Sequence, residues 1–314
     1  QSSLRSFVKA SSMASAAHPI AFTIGSRRLF AIERQLVTVS FSLEDILLER
    51  PPAVPTLGSA DGLRVLSAPP AAEERLHAAM PGFVVGARQD YARSYIAMTG
   101  SYEDYLAQFS GKTRSTLRRK RRKLEEAGSG ALDVRCYRTP AELDEFLALA
   151  LPLSRKTYQS RLLDAGLPEG EVAQHAMREL ADRDDMRAFL LFLAGEPIAY
   201  LYLPVSGRTL IYAYLGYDAE HAHLSPGTVL QMAALEDLFA EKRFAYFDFT
   251  EGEGAHKALF GTGSIPCASY IMLRPSGSNR ALLRSLEMFD RGVAATRNLA
   301  SRFGIDAAIR RRLR

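Results

Sequence analysis

Three side chains that follow one predicted strand could together carry acid–base chemistry. Apolar and polar residues alternate with a period of two over residues 244–250, which predicts a strand that places Asp248 at its C-terminal end. His256 and Lys257 come directly after a short glycine-containing loop. Sites in open α/β sheets lie at the C-terminal ends of strands. We therefore predict that Asp248 is a general base with His256 and Lys257 beside it. The alternative is a surface ion pair in which Asp248 is only a structural partner of Lys257.

A second pattern lies at the start of the helix that precedes this strand. Ser225 is a suitable N-cap, Pro226 suits the first helical turn, and Gly227 and Thr228 leave backbone amides uncovered. The residues up to about 240 are apolar on more than one face, which predicts a helix buried against a sheet. A helix N-terminus offers amides and a positive dipole end to a phosphate. The pattern predicts a phosphate site or, alternatively, a simple capped helix.

Positive charge is concentrated in one stretch of the chain. Eight of the twelve residues from 112 to 123 are Lys or Arg, and only Leu117 and Leu124 give the predicted helix an apolar stripe. Such a surface can bind a polyanion or a nucleotide. The alternative is a solvated helix face whose charge Glu125 and Glu126 partly neutralise.

A tyrosine-rich hairpin sheet precedes the phosphate pattern. Three consecutive strands are predicted over residues 187–193, 198–205 and 208–217, with glycine-containing turns between them. One aromatic face of this sheet is expected to hold Tyr200, Tyr202, Tyr212 and Tyr214. Half-buried packing explains such tyrosines. The functional alternative is that Tyr214 lines an acceptor pocket or donates a proton.

The bulk composition is that of a globular protein. The chain has 314 residues, of which 47% are hydrophobic and 24% charged, and a net charge of +5. It has no apolar run long enough to span a membrane, and its six histidines and two cysteines form no metal motif. Cys136 and Cys267 are expected to be buried reduced thiols, which favours the cytoplasm. Residues 1–19 show little pattern and are expected to be disordered.

Two sets of residues resemble one family. They are the pattern S-P-G…D-F…G…x-K over residues 225–257, and Tyr105-Leu106…Phe109-Ser110-x-Lys112-x-Arg114, which leads into the basic helix. Both are similar to the FemAB-like GNAT acyltransferases, and most like those found with bacterial cellulose and exopolysaccharide synthesis genes. His256 stands where that pattern has an aromatic residue, often Tyr.

The resemblance implies a fold. The class would be α/β with a mixed sheet, built as two tandem GNAT-like halves as in FemAB proteins. Residues 20–127 would form a degenerate half that ends in the basic helix, and residues 128–314 the acyltransferase half with a C-terminal helix. The pyrophosphate of the coenzyme would lie at the helix that begins with Ser225 and Pro226.

The resemblance also implies a reaction. The donor would be an acyl-CoA, with acetyl-CoA preferred, and the acceptor a nitrogen or oxygen of a sugar, amino sugar or exopolysaccharide precursor. Backbone amides around Leu215 and Gly216 would stabilise the oxyanion, and no metal would take part. Two alternatives stay open: an aminoacyl-tRNA donor gripped by the basic helix, and a non-catalytic binding subunit of a polysaccharide synthesis complex.

Overall fold

The fold is described from a computed structural model that covers residues 15–25, 27–51, 53–128, 130–157, 166–252 and 254–302. By their contacts these residues form two compact units. The first unit comprises residues 92–265, and the second comprises the described residues up to Tyr91 together with those from Pro266 onward. Residues 92–127 were predicted to form the end of the N-terminal half, but by their contacts they belong to the same unit as residues 128–265.

The second unit is built on long strands. Strand β1 (Ala16–Ile24) pairs antiparallel with β2 (Arg27–Ser40), β2 pairs in parallel with β3 (Gly62–Ala68), and β3 pairs antiparallel with β11 (Gly263–Leu273). Its helices are α1 (Leu43–Leu47), α2 (Pro70–Ala79) and α9 (Gly277–Arg302).

Residues 1–19 were expected to be disordered, and this expectation is wrong for residues 16–19. Strand β1 already begins at Ala16, and its side chains Ile20 and Phe22 are buried against leucines of α9. Burial of apolar surface holds this strand in place, which the Ser- and Ala-rich composition before it did not indicate. Residues 1–14 lie outside the described residues.

The first unit follows the predicted order of strands and helices. Its strands are β4 (Val84–Ala97, from residue 92), β5 (Asp133–Tyr137), β6 (Met186–Leu193), β7 (Glu196–Ser206), β8 (Thr209–Ile211), β9 (Tyr214–Tyr217) and β10 (Tyr246–Asp248). Its α-helices are α3 (Tyr102–Ala107), α4 (Gly111–Ala127), α5 (Pro140–Lys156), α6 (Glu171–Asp182), α7 (Pro226–Glu241) and α8 (Ala255–Phe260), and a 3₁₀ turn spans Ala219–Leu224. The sheet order is β4-β10-β8-β7-β6-β5, in which only β8 and β10 run in parallel among these pairs. The α/β class with a mixed sheet is thus confirmed.

Two apolar cores cover the two faces of this sheet. On one face Leu230 and Leu235 of α7 pack with Phe247 of β10. On the other face Phe146 of α5 packs with Leu190 of β6. Alternation along the strands supplies both faces, because successive side chains of a strand point in opposite directions. Burial of α7 on several sides agrees with its continuously apolar sequence.

The third predicted hairpin strand is interrupted by a bulge. Both β8 and β9 pair antiparallel with β7, but one more residue lies between Leu210 and Tyr214 than between the opposing Tyr202 and Val205. An extra residue in one strand bends it and reverses which face its later side chains occupy. The bulge at residues 212–213 therefore separates β8 from β9.

The bulge corrects one expectation about the tyrosines. Tyr212 packs with Phe247, Phe249 and His256, whereas Tyr214 packs with Tyr202 on the opposite face. The four tyrosines therefore do not share one face, because a strict period of two ends at the inserted residue.

Candidate active site

The parallel strands β8 and β10 part where the bulge begins. Ile211 lies opposite Asp248 at the end of the ladder, and the Tyr212 amide donates a hydrogen bond to the Asp248 carbonyl at 2.9 Å. Beyond this point β9 pairs with β7, and within the described strands it has no other neighbour. The segment that continues from β8 into β9 therefore separates from β10, and a gap opens at the C-terminal ends of β8 and β10. Sites form at this position in such sheets.

The open edge of β9 presents particular backbone amides to this gap. The Asp218 amide donates to the Ile198 carbonyl at 2.9 Å, which continues the register that pairs Gly216 with Tyr200. Opposed residues in an antiparallel pair alternate between bonded and non-bonded positions. The backbone amide of Gly216 is therefore directed toward β7, whereas the backbone amide of Leu215 points away from β7. Of the two residues predicted to supply oxyanion donors, Leu215 has its amide at the open edge.

Asp248 lies at the predicted strand end but is already fully engaged. Its side chain is 1% exposed, and the Arg93 guanidinium binds both carboxylate oxygens, with Nε 3.1 Å from Oδ1. The Thr250 amide donates a further hydrogen bond to Oδ1 at 2.8 Å. The ion-pair partner is thus Arg93, and not Lys257 as the alternative reading expected. A buried carboxylate with these fixed donors is poorly placed to take a proton from a substrate.

Arg93 is the site residue that sequence reasoning missed. It lies in β4, diagonally across from Asp248, whose direct partner is Tyr95. A single arginine in a strand is common and does not by itself indicate a site. The one unusual feature is that Arg93 lies in the C-terminal part of β4, where most residues are buried.

His256 and Lys257 lie at the start of α8, and the His256 ring contacts Tyr212, the residue at which the gap begins. The His256 ring contacts the rings of Tyr212 and Phe249, with centroids 6.1 and 6.2 Å apart. Partial burial, with the nearby Lys257 charge, lowers the pKa of His256 below its ordinary value. Burial also lowers the pKa of Lys257, while Asp248 and Glu251 oppose that effect. The Lys257 ammonium donates to the Glu251 carbonyl oxygen. An imidazole that is neutral near pH 7 is suited to accept a proton.

Tyr214 belongs to a second group of side chains on the opposite face of β9. It is half-buried beside Tyr202, and burial raises its pKa to about 12, with Tyr200 adding to the effect. The Tyr200 hydroxyl donates to Ser154 Oγ at 3.0 Å. No contact joins Tyr214 to Asp248, His256 or Lys257 among the described contacts. Tyr214 thus remains protonated at neutral pH and can act only as a proton donor.

Close packing at Gly216 gives a testable expectation. A Cβ at this position would lie 2.5 Å from Tyr200 Cζ and 2.6 Å from its hydroxyl. Gly216→Ala is therefore expected to destabilise the fold by about 1–3 kcal/mol, the usual cost of overpacking. Urea unfolding would measure it. Gly111→Ala, where a Cβ meets nothing within 4 Å, is the control, and an equal effect of the two substitutions would refute the packing account.

The start of α7 lies against the open strand. A Cβ at Gly227 would approach Leu215 Cδ2 to 3.0 Å and Tyr217 Cδ1 to 3.2 Å, so α7 begins directly over β9. Pro226 occupies the first turn as predicted, but Ser225 is not a side-chain cap. Its backbone is left-handed, at φ 55° and ψ 47°, and its hydroxyl makes no cap bond. The cause is the preceding 3₁₀ turn, which leads the chain into α7 through this conformation.

The basic helix α4 packs beside that helix start. Lys120 Nζ is 3.4 Å from Thr228 Oγ1, and Lys123 Nζ donates to the His223 carbonyl at 3.0 Å. Arg121 binds Glu236 of α7. Part of the charge predicted to face solvent is therefore used to bring α4 to the N-terminus of α7. The helix itself is confirmed and extends over Gly111–Ala127.

Other described features bear on cofactors and location. Among the described residues, no group of three or more His, Cys, Asp or Glu is arranged to hold a metal ion. None of the described helices combines the length and apolar character that a bilayer span requires. Cys267 is buried as expected, whereas Cys136 is exposed on β5, an edge strand of the first unit.

The comparison with known families identifies the domain around this site. Residues 111–258 match the family described as the acetyltransferase (GNAT) domain. This segment contains the bulged strand, the start of α7 and the His256–Lys257 pair. This segment, just under half of the chain, is therefore similar to an acetyltransferase (GNAT) domain, and the match supports an enzyme of the acyltransferase class. No curated protein sequence matches it.

Solved structures show the same fold at low sequence identity. FemX is 13% identical with a TM-score of 0.50, over 83% of this chain and 89% of that chain. The C-terminal domain of a putative lysylphosphatidylglycerol synthetase from Agrobacterium fabrum is also 13% identical with a TM-score of 0.50, over 74% of this chain and 73% of that one. The predicted GNAT-like fold, similar to that of FemX, is thereby confirmed, while the two tandem halves and an association with cellulose or exopolysaccharide synthesis stay predictions.

Proposed function

We propose that this protein transfers an acyl group from an acyl-CoA, preferably acetyl-CoA, to a nitrogen or oxygen of a sugar, amino sugar or exopolysaccharide precursor. The observation that carries the proposal is the gap between β9 and β10. It lies beside the N-terminus of α7 and within the segment that matches the GNAT domain. This arrangement brings the N-terminus of α7, a helix end of the kind that suits a phosphate, close to the open edge of β9 with its Leu215 amide.

The donor's phosphates would bind at the start of α7. The amides of Gly227 and Thr228 belong to the first helical turn, where no carbonyl within the helix can reach them. Lys120 of α4 adds a positive charge beside Thr228. Ser225 and Pro226 shape the turn that aims these amides, although the Ser225 hydroxyl itself caps nothing. Amides, helix dipole and ammonium together suit a pyrophosphate.

The acyl group would lie against the open edge of β9. As the acceptor attacks the carbonyl carbon, negative charge develops on the carbonyl oxygen, and the Leu215 amide is directed to stabilise it. The C–S bond then breaks and the CoA thiolate leaves. Tyr214, protonated at neutral pH, is the candidate to return a proton to that thiolate. Gly216 serves this strand by making room for Tyr200.

His256 is the preferred base in this mechanism. It must take the proton that the acceptor loses on attack, and its imidazole lies beside the gap with a lowered pKa. Asp248, predicted from the sequence as the base, has its oxygens engaged by Arg93 and Thr250. Lys257 is placed to orient the acceptor or to bind an anionic group on it.

A second donor class is favoured by one observation. Within the described part of the chain, six cations of α4 form no ion pair with a carboxylate: Lys112, Arg114, Arg118, Arg119, Lys120 and Lys123. A row of uncompensated charge next to the donor site suits a longer polyanion, such as the aminoacyl-tRNA that the FemAB resemblance implies. Melting temperatures with acetyl-CoA and with tRNA at about 150 mM salt, where charges are screened beyond about 8 Å, separate the two donors.

Replacing Lys120 tests the donor site itself. Lys120→Ala is expected to weaken acetyl-CoA binding by about tenfold to a hundredfold, because a charge-assisted hydrogen bond contributes about 1.5–3 kcal/mol and about 1.4 kcal/mol is a factor of ten. Calorimetric titration measures the change. The matched control is Arg122→Ala on the same helix, whose side chain is 72% exposed and lies near Glu126. Equal affinities in the two variants would remove Lys120 from the site.

A further inference from the structure

A buried ion pair anchors the loop that leads from β10 into α8, the helix that carries His256 and Lys257. The side chains of Arg93 and Asp248 are only 5% and 1% exposed, and the guanidinium binds the carboxylate through two nitrogens. Two-point contact of this kind fixes orientation as well as distance. The pair joins the end of β10 to its neighbour β4, immediately before the chain leaves the sheet.

The same carboxylate also sets the first turn of the loop. Asp248 Oδ1 accepts the Thr250 amide at 2.8 Å, and Thr250 adopts a positive φ of 61°. A residue other than glycine holds such a conformation only where its surroundings impose it. The hydrogen bond to a carboxylate that is itself clamped by Arg93 supplies that constraint.

The loop then closes back on helix α8. The ammonium of Lys257 donates to the carbonyl of Glu251, the residue that follows Thr250. His256, one residue earlier on α8, is held against Phe249 and Tyr212. Contacts among the described residues therefore link Arg93 to Asp248 and Thr250, Glu251 to Lys257, and Phe249 to His256.

We propose that Arg93 is a positioning residue of the acyl-transfer site, which acts through Asp248 and Thr250 to hold His256 and Lys257 at the gap between β9 and β10. The expected effect on turnover rests on the proposed function, whereas the role of Arg93 in holding the loop does not. Arg93 acts through the Asp248 carboxylate that it binds, and its positive charge also contributes to the lowered pKa of Lys257.

A purely stabilising ion pair is the competing account, and a double variant separates the two. Arg93→Met with Asp248→Leu removes both charges, and apolar replacement of a buried pair is often neutral for stability. The Thr250 amide then loses its acceptor and the loop is released. The readouts are the melting temperature, the acetyl-CoA affinity, the turnover number and the NMR titration of His256, assigned with His256→Gln.

The positioning role predicts a specific pattern in the double variant. The melting temperature and the acetyl-CoA affinity stay near wild type, and turnover falls by roughly tenfold to a hundredfold as the base is misplaced. The His256 titration moves up toward the ordinary histidine range, because the released ring is hydrated. A folded variant with wild-type turnover and an unmoved His256 titration would overturn the inference.

Two further results keep the experiment decisive. Should the double variant not fold, Arg93→Lys retains the charge and removes only the two-point contact, and it is expected to shift the same titration and lower turnover in the same direction. An unmoved titration in a folded Arg93→Lys protein would then overturn the inference. Failure of the proposed function looks different: the wild type would show no acyl transfer, while the His256 titration would still respond to both variants.

Discussion

Replacing His256 with glutamine is expected to lower the turnover number by roughly 10²–10⁴-fold, the usual contribution of a positioned general base. Glutamine keeps much of the size and polarity of histidine but cannot accept the proton. The affinity for acetyl-CoA should be nearly unchanged, because the start of α7 is a separate element. Steady-state kinetics with calorimetric donor titration measure both quantities.

A second histidine supplies the control. His175 lies on α6 with a side chain that is 75% exposed, near Glu179 and among none of the residues at the gap. His175→Gln should retain wild-type turnover. A His256→Gln protein with full activity would remove the imidazole from the mechanism and return Asp248 to consideration as the base.

The same role fixes the direction of the pH dependence. A base works in its deprotonated form, and the pKa of His256 is lowered by partial burial and by Lys257. The acid limb of kcat/KM should therefore be centred below pH 6.5, the ordinary histidine pKa. The acid limb should disappear in His256→Gln. An acid limb centred above pH 7 would contradict the assignment.

Asp248→Asn is expected to lower the free energy of unfolding by about 3–5 kcal/mol, the cost of leaving one partner of a buried ion pair uncompensated. Asn keeps the shape of the side chain and an acceptor for the Thr250 amide. The loss arises because the Arg93 guanidinium, whose side chain is 5% exposed, loses the negative charge of Asp248. Denaturant unfolding followed by circular dichroism measures it.

The identity of the partner is tested by which second substitution restores stability. Arg93→Met added to Asp248→Asn should recover much of the loss, because no buried charge then remains. Lys257→Met added to Asp248→Asn should recover little of the lost stability. The Lys257 ammonium donates to the Glu251 carbonyl, and its interaction with Asp248 is a longer-range charge–charge attraction. The coupling energy of each pair follows from a double-mutant cycle. Recovery by Lys257→Met alone would refute the Arg93 pairing.

The sequence by itself determined the parts of this protein that local patterns control. A period of two placed Asp248 at the end of a strand, and β10 indeed ends there. Pro226 marked the first turn of α7, and its continuous apolar run indicated a helix buried on several sides. The charge-rich stretch became α4, and the hairpin turns set the order of β6 to β9. Each of these features depends on residues close together in the chain.

Only the tertiary structure decided which of these elements meet and which side chains are left available for chemistry. Arg93 lies 155 positions from Asp248, and Lys120 lies 108 positions from Thr228. The bulge at residues 212–213 depends on the register of β7, which sequence periodicity does not reveal. Contacts of this kind arise from packing and pairing across the sheet, where many registers satisfy the same alternation until neighbouring strands select one. For that reason the sequence indicated where a site would form, and the fold assigned Asp248 to Arg93 and exposed His256.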